Sequence, residues 1–371
     1  MSFLVFINIQ NMYFSFKKSL VGFLVFLQLS GVSAQQKMVV PKSYIAHKTS
    51  ESISIDGKGE EASWGSAKWT SDFIDIEGAK KPRYQTRVKM LWDEKYLYFY
   101  AELEEPHVWA TLKQRDTIIF YNNDFEIFID PDGDTYNYME FEMNALNTLW
   151  DLYLTKPYRE GGKVIDNWDI KGIKTAVHIN GTINNASDID KGWSVEIAMP
   201  WTSLIEAGDN KIPVDNYWRI NFSRVNWDYQ LNQDTYQRKQ GANGKYLPEY
   251  NWVWSPQWVV NMHEPEWWGY VYFSSEEREN SKDEFIVSSD EKIKLELYNL
   301  YRKQKEYQRK NGAWIESSQK LITNPIVIEG KEIEVMLEAH SQGWNLIVDS
   351  PFTDKQLILS EDGAFKTKTN N

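Results

Sequence analysis

The stretch between Tyr121 and Trp150 constrains the fold most, because it holds two alternating runs around an acidic turn. Apolar and polar side chains alternate along Asp124–Asp130 and again along Met139–Asn144. A period of two over this length predicts antiparallel strands with one face on the core. The predicted core side chains are Phe125, Ile127, Ile129, Met139, Phe141 and Met143, and the predicted polar face carries Glu126, Glu142 and Asn144.

The polar face of these two strands is a candidate ligand site. A row of carboxylates and amides beside a tyrosine such as Tyr121 can form the floor for a polar, ring-shaped ligand. The same alternation is also typical of a solvated sheet face, so the pattern alone leaves both interpretations open.

Short alternating runs with regular turns continue through residues 35–273, and helical patterns are few. This organisation predicts an all-β fold, an antiparallel β-sandwich. Asn180-Gly181 predicts a tight hairpin that joins Ile173–Ile179 to Thr182–Asn184. The polar segment Asn226–Tyr250 is predicted to be a long loop, and loops of that length are usually functional or disordered.

The composition changes after Phe273, where residues 274–287 are predicted to be a linker. Ser288 and Glu291 have the spacing of a capping box, which predicts the start of a helix. Apolar residues then recur at helical spacing, and two or three alternating runs follow. Residues 288–371 are therefore predicted to form a C-terminal helix and a small sheet, a β-meander.

The first residues have the pattern of a secretory signal peptide. Lys17 and Lys18 precede the apolar run Ser19–Leu29, and small residues follow at Val32–Ala34. We therefore expect residues 1–34 to be a signal peptide that is cleaved near Ala34, and the mature protein to be secreted or periplasmic. The apolar run is too short for a comfortable transmembrane helix, so no membrane insertion is expected.

Composition excludes several function classes. The chain has no cysteine, which excludes disulfides, thiolate metal sites and a cysteine nucleophile. A formal net charge of −12 argues against nucleic acid and anionic membranes as partners. Aromatic residues make up 15% of the chain, more than a core needs. Their flat faces suit stacking on sugar rings, and Trp227 and Trp258 are candidates because both lie in predicted loops.

The acidic turn between the two central runs is a candidate calcium site. Asp130, Asp132 and Asp134 alternate within it, and Glu140 follows six residues later. Calcium takes six to eight oxygen ligands in irregular geometry, so such a loop suits a structural calcium ion. An acidic turn without any ion is the alternative.

Catalysis by paired carboxylates is a second possible function. Glu126, Glu140 and Glu142 are candidates for the acid and base of a glycosidase, which needs two carboxylates at a defined separation. Accidental pairs are common on an acidic sheet face, so this stays an alternative. The five histidines are scattered and have no zinc-site spacing.

An ordered set of motifs resembles carbohydrate-binding module family 9, and most of all the secreted, Bacteroidetes-type members of that family. The resemblance covers about residues 50–273, and the set is more specific than any motif alone. The motifs are Ile55-Asp56-Gly57, Ala62-Ser63-Trp64, Leu91-Trp92-Asp93, Tyr96-Leu97-Tyr98, Asn123–Asp130, Gly192–Trp201, Arg219–Arg224 and Trp254–Gly269.

The resemblance implies a β-sandwich that binds the ends of carbohydrate chains without hydrolysing them, often with structural calcium. It implies a role in polysaccharide utilisation, with possible association with polysaccharide-degrading proteins. Tyr121 stands where the family has one clamping aromatic residue, Glu126 matches the site glutamate, and Glu142 replaces an expected arginine. The predicted sugar-binding residues are Tyr121, Glu126, Glu142, Asn144, Arg224, Trp227, Trp258, Asn261 and His263.

Haem binding is the third possible function, because related sandwiches carry haem through methionine and histidine or lysine. The candidate ligands in this chain are Met90, Met143 and His107.

Overall fold

A computed structural model describes residues 39–277 and 284–370. The predicted signal peptide lies outside the described residues, as do residues 278–283 of the predicted linker. The described residues from Val40 onward form one compact unit. No helix in the described part of the chain has the length and apolar character needed to cross a membrane.

Strands dominate the described residues, and the helices are few. Short 3₁₀ turns lie at Ile119–Tyr121, Tyr158–Glu160, Ile205–Ala207 and Pro265–Trp267. The other elements are β1 (Ser43–Lys48), α1 (Ala62–Ser66), β2 (Ile74–Asp75), β3 (Thr86–Trp92), β4 (Tyr96–Glu104), β5 (Asp124–Asp130), β6 (Tyr138–Asn144), β7 (Leu149–Leu154), β8 (Val164–Ile165), β9 (Lys174–Asn180), β10 (Gly192–Pro200), α2 (Trp201–Leu204), β11 (Tyr217–Asn226), β12 (Tyr229–Asn232), β13 (Thr235–Arg238), β14 (Tyr250–Val253), β15 (Gly269–Ser274), α3 (Ser289–Asn311), α4 (Ser318–Leu321), β16 (Ile326–Ile328), β17 (Lys331–Ile333), β18 (Met336–His340), β19 (Gly343–Asp349), β20 (Lys355–Ser360) and β21 (Phe365–Thr369).

The predicted all-β fold is confirmed, and its main sheet curls over itself. The sheet runs in the order β8-β7-β6-β5-β11-β15-β1-β3-β4-β10-β9, with β14 and β2 paired beside β11. Phe99 of β4 packs against Phe222 of β11 at 5.8 Å between ring centroids, although three strands separate β4 from β11 along the path. The part of the sheet that contains β4 therefore faces the part that contains β11 across one apolar core, as the two layers of a sandwich do.

The alternation in the two central strands is confirmed. β5 and β6 pair in antiparallel register, with Phe125 opposite Met143 and Ile127 opposite Phe141. All six predicted core side chains are at most 1% exposed and belong to the same core cluster. The register also places Glu126 opposite Glu142, so the opposite face carries the carboxylates side by side.

The predicted hairpin at Asn180-Gly181 is wrong. β9 ends at Asn180 but pairs with β10, whose first residue is Gly192. Asp190 accepts the backbone N–H of Thr182 at 2.7 Å and that of Val108 at 2.8 Å. These bonds hold the segment after Gly181 in a loop. β9 pairs with β10 instead, because that pairing buries the apolar run of β10 in the core.

The segment 226–250 is not a simple loop, because it contains the hairpin of β12 and β13. Gln233 and Asp234 form its turn with φ of 48° and 64°, as two-residue hairpin turns require. Tyr236 of β13 is only 2% exposed and stacks on Trp109 at 6.1 Å between centroids. One buried ring anchors this otherwise polar hairpin.

The C-terminal helix and meander are confirmed. Ser288 caps α3 by accepting the backbone N–H of Glu291 at 3.2 Å, and Gly312 ends the helix with φ of 70°. Strands β18 to β21 follow as a four-stranded antiparallel meander. The domain boundaries inferred from the sequence stay a prediction.

An ion network joins α3 to the sandwich. Arg302 of α3 contacts Glu264 and Glu266 at 2.5 Å each, on the segment that precedes β15. Arg159, from the loop after β7, contacts the same two glutamates at 2.5 and 3.0 Å. The side chains of Glu264 and Glu266 are 5% and 0% exposed, so the arginines supply the positive charge that makes their burial tolerable.

Removing Arg302 tests how much this network stabilises the protein. We expect Arg302→Ala to lower the free energy of unfolding by about 3 kcal/mol, because two buried glutamates then share one arginine. Urea denaturation followed by tryptophan fluorescence measures it.

Lys310→Ala is the matched control, since Lys310 is on the same helix and pairs with Glu306 on its exposed surface. Its loss should cost about 0.5 kcal/mol or less. Equal effects of the two substitutions would contradict a stabilising role for the network.

Candidate functional site

A cavity of about 430 Å³ opens on the carboxylate face of β5, β6 and β7. Glu126, Glu140 and Glu142 form its floor. The segment Val260–His263 lines one side, and Glu249 and Asn251 reach it from the region of β14. The cavity exists because the polar face predicted from the alternation is covered by loops rather than open to bulk solvent.

The floor carboxyl groups are buried to an unusual degree, at 4% exposure for Glu126, 5% for Glu140 and 2% for Glu142. Burial raises the pKa of Glu126 to about 7. Burial, and then the charge of Glu126, also raises the pKa values of Glu140 and Glu142. Asp124, which is fully buried next to them, has its pKa raised by the same two causes. The group therefore holds protons near neutral pH more readily than exposed carboxylates do.

The hydrogen bonds of the floor leave acceptor capacity free. Glu142 Oε2 accepts the backbone N–H of Phe120 at 3.0 Å, and Asp124 Oδ1 accepts that of Val225 at 3.1 Å. Glu140 Oε2 and Asp124 Oδ2 are buried and have no hydrogen-bond partner among the described residues. Unpaired buried carboxyl oxygens carry a desolvation cost, which a ligand could relieve.

His263 closes the cavity beside Glu140. Its Nε2 lies 3.9 Å from Glu140 Oε2, and its Nδ1 lies 2.9 Å from the Tyr138 hydroxyl. Burial, and then the charge of Arg159, lowers the pKa of His263 to about 3. The imidazole is therefore neutral at physiological pH and does not neutralise the carboxylates below it.

Aromatic side chains form the apolar part of the lining. Trp150 of β7 stands opposite Glu142 in the strand register, and Phe120 precedes β5. Tyr158 is 45% exposed, and its ring meets that of His263 at 4.3 Å between centroids. A ring-shaped ligand on this floor would contact flat apolar faces and carboxyl groups at once.

Tyr121 and Trp258 are not among the residues that line the cavity. The Arg238 guanidinium lies 4.3 Å from the centre of the Tyr121 ring, so a cation covers one face of it. The Trp258 ring lies against Gly78, where a Cβ atom would come within 2.5 Å of it. Both remain exposed, at 42% and 45%, and their part in sugar binding stays a prediction.

Of the other seven predicted sugar-binding residues, Glu126, Glu142, Asn261 and His263 line the cavity, and three do not. Asn144 accepts the backbone N–H groups of Leu146 and Thr148 and so holds the turn after β6. Arg224 pairs with the buried Glu105 at 2.9 Å, and the Trp227 indole donates to the Phe120 carbonyl at 2.7 Å. These three side chains stabilise the surroundings of the cavity.

The acidic turn brings Asp130, Asp132 and Asp134 together, with one carboxylate oxygen of each within 4.8 Å of the others. Glu140 does not join them. It lies opposite Phe128 in the register, two residues along β5 from Asp130 and thus about 7 Å away along the strand. The predicted four-residue ligand set is therefore divided, and Glu140 belongs to the cavity.

The three aspartates suit calcium in kind, because they offer only hard oxygen donors. Asp130 already accepts the backbone N–H groups of Gly133 and Thr135, at 2.9 and 3.0 Å. Lys294 of α3 donates to the Gly133 carbonyl, so one buried cation is built into the turn. Burial, and then Asp132 and Asp134, nevertheless raises the pKa of Asp130, and a bound cation would relieve that.

The candidate haem ligands lie in different surroundings. Met90 and Met143 are fully buried in the core of the sandwich. His107 Nδ1 lies 3.0 Å from the Tyr236 hydroxyl, within the aromatic cluster under the β12–β13 hairpin. The two methionines fill the core as apolar side chains.

Sequence reasoning missed Trp150 and Tyr158 as lining residues, and it assigned Glu140 to the calcium site rather than to the sugar-binding residues. Trp150 lies on β7, the strand that follows β6. Pairing these two runs as antiparallel neighbours would have placed Trp150 opposite Glu142. Glu140 has the same parity along β6 as Glu142, which was the available signal. Tyr158 gave no signal, because it lies in an irregular loop.

Comparison with known proteins gives one relative of stated activity. Endo-1,4-beta-xylanase A of Thermoanaerobacterium saccharolyticum is 27% identical over 162 residues, which are 43% of this chain. Those residues are 12% of the xylanase, so the chain spans only a small part of that enzyme's length.

Two similar solved structures are of a family 9 carbohydrate-binding module from Caldicellulosiruptor kristjanssonii. In complex with cellotriose it has a TM-score of 0.42 and 14% identity, and it covers 67% of this chain and 99% of the module. In complex with glucose the values are 0.41 and 15%, with 66% and 100% covered.

The family model described as carbohydrate family 9 binding domain-like matches residues 55–252. The match includes β5, β6 and β7, which form the floor of the cavity. Because it covers more than half of the chain, the protein belongs to the carbohydrate family 9 binding domain-like family.

Proposed function

We propose that this protein binds carbohydrate without hydrolysing it, and that the ligand lies in the cavity over Glu126, Glu140 and Glu142. The observation that carries the proposal is the row of buried carboxyl groups beside aromatic side chains in a cavity of about 430 Å³. Sugar hydroxyls pair with carboxyl oxygens, and sugar rings pack on aromatic faces. Membership of the family supports the same function.

The arrangement of the carboxyl groups favours binding over hydrolysis. Glu126, Glu140 and Glu142 lie side by side on neighbouring strands, on one face of one sheet. The two carboxylates of a glycosidase flank the scissile bond instead. A hydrolase would therefore need a second group on the other side of the ligand.

A role in polysaccharide utilisation outside the cytoplasm completes the proposal. The support is the signal-peptide pattern around Lys17, Lys18 and Ala34 and the similarity to one segment of a xylanase. Association with polysaccharide-degrading proteins fits the same role, since this chain would supply binding and its partners the hydrolysis.

Aromatic variants test the site. We expect Trp150→Ala and Tyr158→Ala to weaken sugar binding about tenfold or more, because each removes a flat face from the cavity. Isothermal titration with cello-oligosaccharides and xylo-oligosaccharides measures the affinities. Tyr307→Ala is the matched control, since Tyr307 is a tyrosine of similar exposure on α3.

The same titration distinguishes the two sets of aromatic residues. If Tyr121→Ala and Trp258→Ala abolish binding while Trp150→Ala does not, the sequence-based clamp is right and the cavity is not the site. If purified protein releases reducing ends and Glu126→Gln abolishes that turnover, the protein is a hydrolase.

Calcium at the Asp130–Asp134 turn is a separate proposal. Bound calcium stabilises the native state by about 2.7 kcal/mol at a hundredfold excess over Kd. We expect chelation to lower the melting temperature, and Asp132→Ala to remove that sensitivity. Calorimetry with and without chelator measures both, and identical melting of the wild type in the two conditions would refute calcium binding at the turn.

Export is tested by the N-terminus of the mature protein. We expect the mature chain to begin near Gln35, in an extracytoplasmic soluble fraction, because the small residues at Val32–Ala34 fit a cleavage site. Mass spectrometry of the exported protein reads the terminus directly. An intact Met1 or Met12 start on that material would contradict cleavage.

A further inference from the structure

The charged side chains that line the cavity are acidic, and a neutral sugar would not compensate their charge. The cavity lining contains four acidic side chains, three in the floor and Glu249, which is partly buried. Within the part of the chain that the structure describes, neither lysine nor arginine is among the lining residues. The cavity is therefore acidic on its floor and has no protein cation of its own.

Nearby cations are engaged elsewhere. Arg159 contacts Glu264 and Glu266, and Arg224 contacts Glu105. His263 stands over Glu140 but is uncharged, since burial lowers its pKa to about 3. Among the described residues, no positively charged side chain therefore lines the cavity beside these buried carboxyl groups. Their raised pKa values are consistent with that, and a cation bound in the cavity would favour their ionised forms.

Glu140 is the residue whose surroundings best indicate the chemistry of the ligand. It is 5% exposed and lines the cavity, and its Oε2 has no hydrogen-bond partner among the described residues. Carboxylate oxygens of Asp124, Glu126 and Glu142 cluster within 4.8 Å of one another beside it. An unpaired buried acceptor next to further carboxyl groups is a site for a donor that carries charge.

We infer that the cavity takes a sugar with a free ammonium group, an amino sugar, in preference to a neutral or an acidic sugar of the same size. The inference rests on the sugar-binding function proposed above and specifies the ligand of that site. An ammonium group donates up to three hydrogen bonds and neutralises charge, whereas a hydroxyl donates one and carries no charge. A carboxylate on the sugar would be repelled.

The size of the cavity favours a sugar over a bare metal ion. A volume of about 430 Å³ with Phe120, Trp150 and Tyr158 in its lining is far larger than an ion needs, and the aromatic faces offer no ligand atoms to a metal. They do offer contact to the C–H faces of a sugar ring.

Two matched tetramers provide the test. Cellotetraose and the β-1,4-linked tetramer of glucosamine differ only in the group at C2, which is a hydroxyl in one and an ammonium in the other. By isothermal titration near neutral pH, we expect wild-type protein to bind the glucosamine tetramer about tenfold more tightly, as charged hydrogen bonds exceed neutral ones by that order. A galacturonic acid tetramer should bind more weakly than cellotetraose.

Variants of single acidic residues test whether Glu140 causes the preference for the glucosamine tetramer. Glu140→Gln keeps the shape and removes the carboxylate, so it should weaken binding of the glucosamine tetramer more than binding of cellotetraose and bring the ratio of the two affinities close to one. Glu316→Gln is the matched control, because Glu316 is an exposed acid in the loop after α3. Circular dichroism checks that both variants are folded. The comparison of the two tetramers on the wild-type protein does not depend on the folding of either variant.

Several results would overturn the inference. Equal affinity for cellotetraose and the glucosamine tetramer removes it and leaves the proposed function standing. Equal affinity for the N-acetylglucosamine tetramer also removes it, because that ligand has no ammonium. Calcium binding that Glu126→Gln abolishes would assign the carboxyl cluster to a metal, and binding of no tetramer at all would remove the inference and the proposed function together.

Discussion

The ion network of Arg159, Arg302, Glu264 and Glu266 is the interaction on which the cavity depends. It ties the loop after β7, the segment before β15 and helix α3 to one point. Arg159 shows the strength of the coupling: burial alone would lower its pKa, yet Glu266 and Glu264 raise it well above the ordinary value. Since His263 immediately precedes this point, the network fixes one side of the cavity.

The C-terminal region is thus part of the architecture of the site, although none of its described residues lines the cavity. Lys305 extends the same contact surface by pairing with Glu160 at 2.9 Å, next to Arg159. The loop that carries Tyr158 is held between the sandwich and α3 in consequence. A ligand in the cavity would meet a wall that is already ordered, and pre-ordering reduces the entropy lost on binding.

The sequence predicted the parts that depend on local periodicity. β5 and β6, their buried faces and the pair Glu126–Glu142 follow from alternation alone, because the side-chain period of a strand leaves one choice of face. The helix start at Ser288 follows from the capping pattern. These features needed no knowledge of distant contacts.

What the sequence did not predict depends on contacts between distant segments. The turn at Asn180-Gly181 has the local signal of a hairpin, but the pairing of β9 with β10 overrides it. Likewise, Trp258 is close in sequence to the lining residue Val260, yet its ring lies against Gly78. Trp150 lines the cavity instead. Strand pairing and the paths of loops decide which aromatic side chain lines a cavity. The chemistry of a single residue determines neither.

The position of β1 has a consequence for how the protein folds. β1 pairs in parallel with β15 on one side and β3 on the other, so Ser43 lies opposite Tyr270. The first and last strands of the sandwich are therefore neighbours, and the curled sheet cannot close until both are present. Such long-range pairing slows folding and leaves the edges of β1 and β11 open until β15 emerges from synthesis or export. The time during which this acidic, aromatic-rich chain can aggregate is set by the arrival of its last strand.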